Sequence, residues 1–126
     1  MAKIRALVVE DHQKFGEKLG NFLKITFGCE VILKFSGADA IAVLDKEKFD
    51  IMLLDLNMPG IDGFTVLAHA TKINPTIIAV VVSGVTGDAI TKRAESMGAW
   101  FVPKPVELKA LEHILKSLMK KQKIVS

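Results

Sequence analysis

Short apolar runs alternate along the chain with segments in which apolar residues recur every third or fourth position. The runs are continuous rather than alternating, and several are rich in valine and isoleucine. This pattern is typical of strands that are buried on both faces of a parallel sheet. The predicted strands cover residues 4–9, 31–33, 51–54, 77–82 and 100–102.

A segment with helical spacing follows each run, and its apolar stripe would cover one side of the sheet. The last of these helices is expected over residues 106–121. A strand–helix order that repeats five times predicts an α/β fold with an open parallel sheet, right-handed crossovers and helices on both faces. The stripes comprise Phe15, Leu19, Phe22, Leu23 and Thr26; Ile41 and Leu44; Phe64, Leu67, Ala68 and Thr71; Ile90, Ala94 and Met97; and Leu108, Leu111, Leu115 and Leu118.

Polar residues with recognisable chemistry follow four of the predicted strands. In open parallel sheets, ligands bind beyond the carboxyl ends of the strands. We therefore expect one site to collect Glu10 and Asp11 after the first strand, Asp55 after the third, Ser83 after the fourth and Lys104 just past the fifth.

Three carboxylates at one edge of a sheet would repel each other at neutral pH, and a bound cation would remove that cost. Hard oxygen ligands suit Mg²⁺ or Mn²⁺ better than zinc. The neighbouring His12 is expected to be an exposed residue of the first helical turn rather than a ligand.

Each acid also has a plain structural interpretation. Asp11 could be the N-cap of the first helix. Asp55 could cap a turn, because turn-forming residues follow it. The coincidence of all these side chains at one edge favours the functional interpretation. The turn-forming residues are Asn57, Pro59, Gly60, Asp62 and Gly63.

The predicted cluster matches the needs of phosphoryl transfer: a nucleophile, a metal and cationic or hydrogen-bonding groups for the phosphoryl oxygens. Asp55 would be the nucleophile and would form an acyl phosphate. Asp11 and Glu10 would hold the metal, while Lys104 and the Ser83 hydroxyl would grip the phosphoryl oxygens.

Two prolines flank Lys104 and restrict its backbone, which would help to aim the ammonium group. The alternative is a rigid loop at the start of the last helix, with Pro105 in the first turn. Both interpretations can hold together. The other proline, which precedes Lys104, is Pro103.

These residues resemble the receiver domains of two-component response regulators. The resemblance spans the whole chain, which would make residues 1–126 one receiver domain. It depends on the segments Val8-Val9-Glu10-Asp11, Leu53-Leu54-Asp55-Leu56-Asn57-Met58-Pro59-Gly60 with Asp62-Gly63, Val81-Val82-Ser83-Gly84, Gly98-Ala99 and Lys104-Pro105.

The resemblance implies a flavodoxin-like, doubly wound sheet of five parallel strands in the order 2-1-3-4-5, with five helices. It also implies Mg²⁺-dependent transfer to Asp55 from a phosphohistidine on a sensor histidine kinase or phosphotransfer protein. The metal would be held by Asp11, Glu10, Asp55 and the backbone carbonyl of Asn57.

The family's switch hydroxyl corresponds to Ser83 and its phosphate-binding lysine to Lys104. The switch aromatic corresponds to Phe101, three residues before that lysine. Trp100 is the rival, because the stretch 98–104 is one residue shorter than is common in the family. Packing at the edge of the sheet is the structural alternative for both rings.

Size and charge fit one domain with no nucleic-acid partner. The chain has 126 residues and a net charge of +3, with basic residues scattered until Lys120, Lys121 and Lys123, which we interpret as a solvated helix end. The lone Cys29 cannot form an intrachain disulfide and is expected to be a small apolar residue. No signal peptide or membrane span is predicted, so we expect a cytoplasmic protein.

The surface of the fourth helix, fifth strand and fifth helix is the expected output face. It would contact an unknown downstream protein or form a phosphorylation-dependent homodimer, although a merely solvated face would look the same. Its polar residues are Lys92, Arg93, Glu95, Lys109, Glu112, His113 and Lys116.

Three alternatives stay open. The chain could be a receiver module cut from a longer regulator with an output domain. It could be a Mg²⁺-dependent phosphatase or phosphotransferase for small molecules, although we expect no enzymatic activity beyond phosphorylation and dephosphorylation of its own Asp55. A flavin-binding module is disfavoured because Glu10 and Asp11 stand where a phosphate-binding loop would be needed.

Overall fold

Residues 3–124 are described by the structure, a computed structural model. Strands and helices alternate strictly along the chain. The elements are β1 (Arg5–Val9), α1 (Gln13–Phe27), β2 (Glu30–Lys34), α2 (Gly37–Lys46), β3 (Ile51–Asp55), α3 (Gly63–Ile73), β4 (Ile78–Ser83), α4 (Asp88–Ser96), β5 (Trp100–Pro103) and α5 (Leu108–Lys121).

The strands form one five-stranded sheet in the order β2-β1-β3-β4-β5, and every neighbouring pair is parallel. This topology confirms the predicted flavodoxin-like, doubly wound fold. The strand order reverses between β1 and β3, which are neighbours in the sheet. Their carboxyl ends therefore lie side by side at the place where such folds bind ligands.

Two apolar layers enclose the sheet. Leu7 and Val9 of β1 face the layer that is covered by α2, α3 and α4. Ala6 and Val8 face the layer that is covered by α1 and α5. Because the side chains of a strand alternate between its two faces, continuous apolar runs are what a sheet covered on both sides requires.

Four predicted strands, which correspond to β2, β3, β4 and β5, end one residue too early, and in β3 and β4 the missed residue is a candidate site residue. Asp55 is the last residue of β3 and pairs with Val82, whereas Ser83 is the last residue of β4 and pairs with Pro103. The apolar runs stop before these polar residues, but the backbone pairing between the neighbouring strands continues through them. Both side chains therefore project from paired strand backbone rather than from loops.

The first and last helices begin differently from the predictions. His12 occupies the N-cap of α1 and makes no side-chain capping bond, so Asp11 is not the cap that one interpretation assigned to it. The last helix begins at Leu108 rather than at residue 106, with Glu107 as its N-cap. Pro105 therefore lies in the preceding loop and not in the first turn of the helix.

The start of α3 is fixed by a side-chain cap and a close backbone approach. Asp62 Oδ1 accepts a hydrogen bond of 2.8 Å from the Phe64 N–H. At Gly63, a Cβ atom would lie 2.6 Å from the Cα of Leu56 and 3.1 Å from the Asp55 carbonyl oxygen. Only glycine fits at this contact, which packs the start of α3 against the loop that leaves β3.

No helix within residues 3–124 is both long and apolar enough to cross a membrane.

Candidate functional site

An acidic cluster lies at the carboxyl edge of the sheet, between β1 and β3. One carboxylate oxygen from each of Glu10, Asp11 and Asp55 lies within 4.8 Å of the others. Glu10 is 2% exposed and Asp55 4% exposed, whereas Asp11 faces solvent. The side chains that the sequence placed at the ends of strands one and three do lie together.

Lys104 supplies a positive charge to this cluster from the loop after β5. Its Nζ lies 3.0 Å from Glu10 Oε1 and 3.5 Å from Asp55 Oδ2. Its backbone N–H donates a 2.9 Å hydrogen bond to the Ser83 carbonyl oxygen, which continues the pairing of β4 with β5 past the last residue of the strand. This pairing fixes the backbone from which the lysine side chain reaches the acids.

Backbone amides hold the two buried carboxylates. The N–H of His12 donates to Glu10 Oε2, and the N–H of Asn57 donates to Asp55 Oδ1, both at 3.1 Å. In each carboxylate, one oxygen thus accepts a hydrogen bond from a backbone N–H, and the other oxygen faces Lys104. The two side chains are oriented before any ligand arrives.

Burial and charge act in opposite directions on Glu10. Burial and the nearby negative charge of Asp55 raise the pKa of Glu10 to about 7, although the His12 N–H and Lys104 oppose the shift. Burial lowers the pKa of Lys104, but the hydrogen bond to Glu10 and the charge of Asp55 outweigh it and leave that pKa raised. Lys104 is therefore cationic at neutral pH, while Glu10 is only partly ionised.

The donor set fits a hard divalent cation. Carboxylate oxygens are the ligands that Mg²⁺ and Mn²⁺ prefer, and two of the three acids are already withdrawn from water. Within residues 3–124, this is the only group of three or more acidic, histidine or cysteine side chains close enough to share an ion, and His12 does not belong to it. Asn57 also lines the cleft at this point.

Ser83 and Phe101 lie on the same face of the sheet. Ser83 is fully buried, and its Oγ accepts a 3.0 Å hydrogen bond from the Val85 N–H. Phe101 pairs with Val81 across β4 and β5 and packs against the layer of α2, α3 and α4. Trp100 pairs with Val80, faces the opposite side and is 47% exposed. The alternation of the strand thus puts Phe101, and not Trp100, on the face of Ser83.

The acids form one end of an open cleft of about 610 Å³. Its remaining wall includes Pro105, which was expected to aim Lys104, and also Phe15, Lys18 and Val106, which the sequence did not single out for this site. The ring centroid of Phe15 lies 4.8 Å from the Nζ of Lys104. Phe15 was predicted only as part of a helical stripe, and its position one turn after Asp11 was the available signal.

Other predicted features lie elsewhere. Cys29 is buried, and burial raises the pKa of its thiol to about 11, in keeping with the prediction of an apolar role. Lys120, Lys121 and Lys123 are exposed around the end of α5.

The predicted output face is mostly solvent-exposed. Lys92, Arg93 and Glu95 are exposed on α4. The Arg93 guanidinium also stacks on the ring of Phe64 at 4.0 Å. On α5, Lys109, His113 and Lys116 are exposed, and Glu112 forms a 2.9 Å ion pair with Lys116.

Comparison with known proteins agrees with this geometry. The sequence model of the family described as "Response regulator receiver domain" matches residues 6–116. A response regulator receiver protein of Anaeromyxobacter sp. (strain Fw109-5) is 33% identical over 103 residues, which are 81% of this chain and 43% of that protein. A protein-glutamate methylesterase/protein-glutamine glutaminase of Rhodospirillum rubrum is 34% identical over 104 residues, which are 80% of this chain and 28% of that protein.

Among solved structures, a CheY-like response regulator receiver domain protein of Methanospirillum hungatei JF-1 superposes with a TM-score of 0.87 at 25% identity. The match covers 97% of this chain and 98% of that one. The chain spans less than half the length of the two curated relatives described above.

A doubly wound α/β sheet with an acidic cluster and a lysine at its switch point defines a phosphoacceptor class of signalling domain. The chain belongs to the response regulator receiver domain family of two-component systems. Receiver domains of this family bind Mg²⁺ at an acidic pocket and interact with histidine kinases or phosphotransfer proteins. The family predicted from the sequence is thereby confirmed.

Proposed function

We propose that Asp55 accepts a phosphoryl group from a phosphohistidine on a sensor histidine kinase or phosphotransfer protein. The observation that supports this role most is the position of the Asp55 carboxylate, which is buried beside two further acids and lies 3.5 Å from the ammonium of Lys104. A nucleophile in phosphoryl transfer needs both a fixed position and nearby positive charge.

In the proposed reaction, a carboxylate oxygen of Asp55 attacks phosphorus. The new O–P bond forms as the P–N bond of the donor breaks, and the imidazole leaves with that bond's electron pair and takes up a proton. The product is an acyl phosphate on Asp55. Lys104 would neutralise charge on the phosphoryl oxygens, and the hydroxyl of Ser83 would turn from the Val85 N–H to donate to one of them.

Asp11, Glu10 and Asp55 would hold Mg²⁺ or Mn²⁺, together with the backbone carbonyl of Asn57. When bound, the cation would neutralise the acids and draw charge from the transferring phosphoryl oxygens. Asp11 is the strongest candidate for a direct ligand. It faces solvent, and no ion pair within residues 3–124 involves it, whereas Glu10 already has Lys104.

Ser83 and Phe101 would form the conformational switch. A phosphoryl group adds up to about two negative charges and strong hydrogen-bond acceptors. Movement of the Ser83 hydroxyl toward it would change the space beside Phe101 on the same face of the sheet. Backbone NMR shifts in α4 and β5 on phosphorylation should be smaller in Ser83→Ala than in wild type, and equal shifts in both proteins would refute the coupling.

The output would be read from the surface of α4, β5 and α5 by a downstream protein or a second copy of the chain. Sedimentation with and without beryllofluoride, which mimics the phosphoryl group, should reveal a complex with a partner or a dimer. Charge reversal at Lys92 or Lys116 should weaken that association. Sequence-specific DNA binding by this chain alone would contradict the proposal. If the chain is part of a longer regulator, an output domain outside it would read the same switch.

We further propose that residues 1–126 act as one cytoplasmic receiver domain, with no membrane partner and no turnover of other substrates. Sustained release of phosphate from small phosphate esters, dependent on Asp55, would instead support the alternative of a Mg²⁺-dependent phosphatase.

The central test is incubation with acetyl phosphate and Mg²⁺, followed by intact mass measurement. Wild type should gain one phosphoryl group, and Asp55→Asn should gain none. Asp62→Asn is the matched control, because Asp62 lies in the following loop and caps α3. Modification of Asp55→Asn at the wild-type rate would overturn the assignment.

A further inference from the structure

Phe15 is the aromatic side chain that lies next to the ammonium of Lys104. It belongs to the first turn of α1, and its ring centroid is 4.8 Å from Nζ. The ring is half-buried and lines the same cleft as the acids. The negative face of an aromatic ring attracts a cation at this range, most strongly where the cation has lost part of its water. Lys104 meets this condition, since its side chain is only 29% exposed.

The other close partners of Nζ within residues 3–124 are the carboxylates of Glu10 and Asp55. Both have other tasks in the proposed function: one would help to hold a cation, and the other would carry the phosphoryl group. A carboxylate that binds a divalent cation attracts an ammonium less strongly. The ring of Phe15 neither titrates nor offers the oxygen atoms that Mg²⁺ prefers, so its attraction for Lys104 persists when the acids are engaged.

We propose that Phe15 is a positioning residue for Lys104, whose ring holds the ammonium at the mouth of the acidic cluster while the carboxylates bind metal and phosphoryl group. This inference rests on the proposed function of Asp55 and Lys104. The ammonium of a lysine is carried on a flexible four-carbon stem, so without this contact it would sample many positions away from the phosphoryl oxygens. The ring acts through Lys104 and has no contact with the reacting atoms in this scheme.

Site-specific fluorination of the Phe15 ring separates electrostatics from shape, because successive fluorines remove negative charge from the ring face while its size changes little. The rate of phosphorylation by acetyl phosphate at fixed Mg²⁺ should fall stepwise from phenylalanine through difluoro- to pentafluorophenylalanine. The total decrease should be about two- to thirtyfold, the range for a partly desolvated cation–π contact. The same series at Phe22, which lies on α1 but packs against Phe27, should leave the rate unchanged.

A double-mutant comparison tests whether the ring acts through Lys104. Phe15→Leu should slow phosphorylation in wild type and should have no further effect in Lys104→Met, whereas a packing role would slow both equally. Phe15→Tyr keeps the ring and should restore the rate. A flat fluorine series with a phosphorylated wild type would overturn this inference alone, and failure of wild type to take up phosphate would overturn the proposed function with it.

Discussion

Lys104 Nζ lies 3.0 Å from Glu10 Oε1, and this contact joins residues that are 94 positions apart in the chain. The carboxylate is buried, whereas the lysine side chain is about one-third exposed. The pair thus balances one negative charge of the acidic cluster with a cation that can turn toward the cleft. In the proposed cycle, the ammonium would turn from Glu10 to the phosphoryl group on Asp55.

The first prediction concerns the pH dependence of stability without metal. The pKa of Glu10 is about 7 in the folded protein and about 4.5 in the unfolded chain. Below the lower of these two pKa values, Glu10 is protonated in both the folded and the unfolded state. Between the two values only the unfolded chain loses the proton, so the free energy of unfolding decreases as pH rises. The decrease due to Glu10 is complete above about pH 7 and is on the order of 3 kcal/mol at most.

Thermal unfolding in EDTA from pH 5 to pH 8 tests this prediction. Glu10→Gln should lose most of the decline seen in wild type, because a neutral amide replaces the titrating acid. Glu112→Gln is the control. Lys116 lowers the pKa of Glu112, a half-buried surface residue, so that residue is ionised over most of the range and its loss should leave the decline intact. Identical slopes in wild type and Glu10→Gln would contradict the prediction.

The second prediction concerns the stabilisation by Mg²⁺. A ligand that binds only the folded state adds about 2.7 kcal/mol at a hundredfold excess over its Kd, so Mg²⁺ should raise the Tm of wild type. Asp11→Ala should abolish most of that rise. Glu10→Gln should reduce it less, since Lys104 already pairs with Glu10. KCl at equal ionic strength controls for screening, and small, equal effects of both variants would count against a metal site.

The sequence predicted the strands because their apolar runs are buried on both faces, and it predicted the site because parallel strands bring their carboxyl ends to one edge. It missed the last residues of β3 and β4 because Asp55 and Ser83 are polar and interrupt the runs. It placed the start of α5 too early because Val106 continues the apolar pattern, although the helix begins two residues later, at Leu108.

The contacts of Lys104 were beyond the sequence. Its backbone position follows from the fold, but its choice of Glu10 as partner depends on the rotamers of two long side chains. The contact between the Phe15 ring and Lys104 was also beyond the sequence. It depends on how far α1 is rotated about its own axis when it packs on the sheet. Sequence patterns specify which face of a helix is apolar, and they do not specify which atom a neighbouring ammonium reaches.

The third prediction concerns Gly63, which leaves no room for a side chain. A Cβ atom there would lie 2.6 Å from the Leu56 Cα and 3.1 Å from the Asp55 carbonyl oxygen. Gly63→Ala should therefore destabilise the fold by about 1–3 kcal/mol, as overpacking against backbone does, and should shift the amide signals of Asp55 and Asn57. Gly84→Ala is the control, because no atom other than those of its chain neighbours lies within 4 Å of its Cβ position, and its stability should stay within about 0.5 kcal/mol of wild type.

The end of α5 has a lysine where helices usually place glycine. Lys123 has a φ of 57°, in the left-handed region. Its N–H donates to the Lys120 carbonyl oxygen, and the N–H of Ile124 donates to that of Met119 at 2.9 Å. These two bonds form a Schellman motif, which turns the backbone back so that Ile124 packs against the apolar layer containing Met119.

The fourth prediction follows from this motif. A residue with a Cβ atom in the left-handed region costs about 1–2 kcal/mol, which glycine avoids. Lys123→Gly should therefore raise the free energy of unfolding, by up to about 1 kcal/mol after the greater freedom of glycine in the unfolded chain is subtracted. Lys123→Ala removes the charge but keeps the Cβ atom, and it should give no such gain. Urea unfolding of the three proteins measures the difference, and an equal gain in both variants would show that the lysine charge, and not the backbone conformation, sets the stability of this helix end.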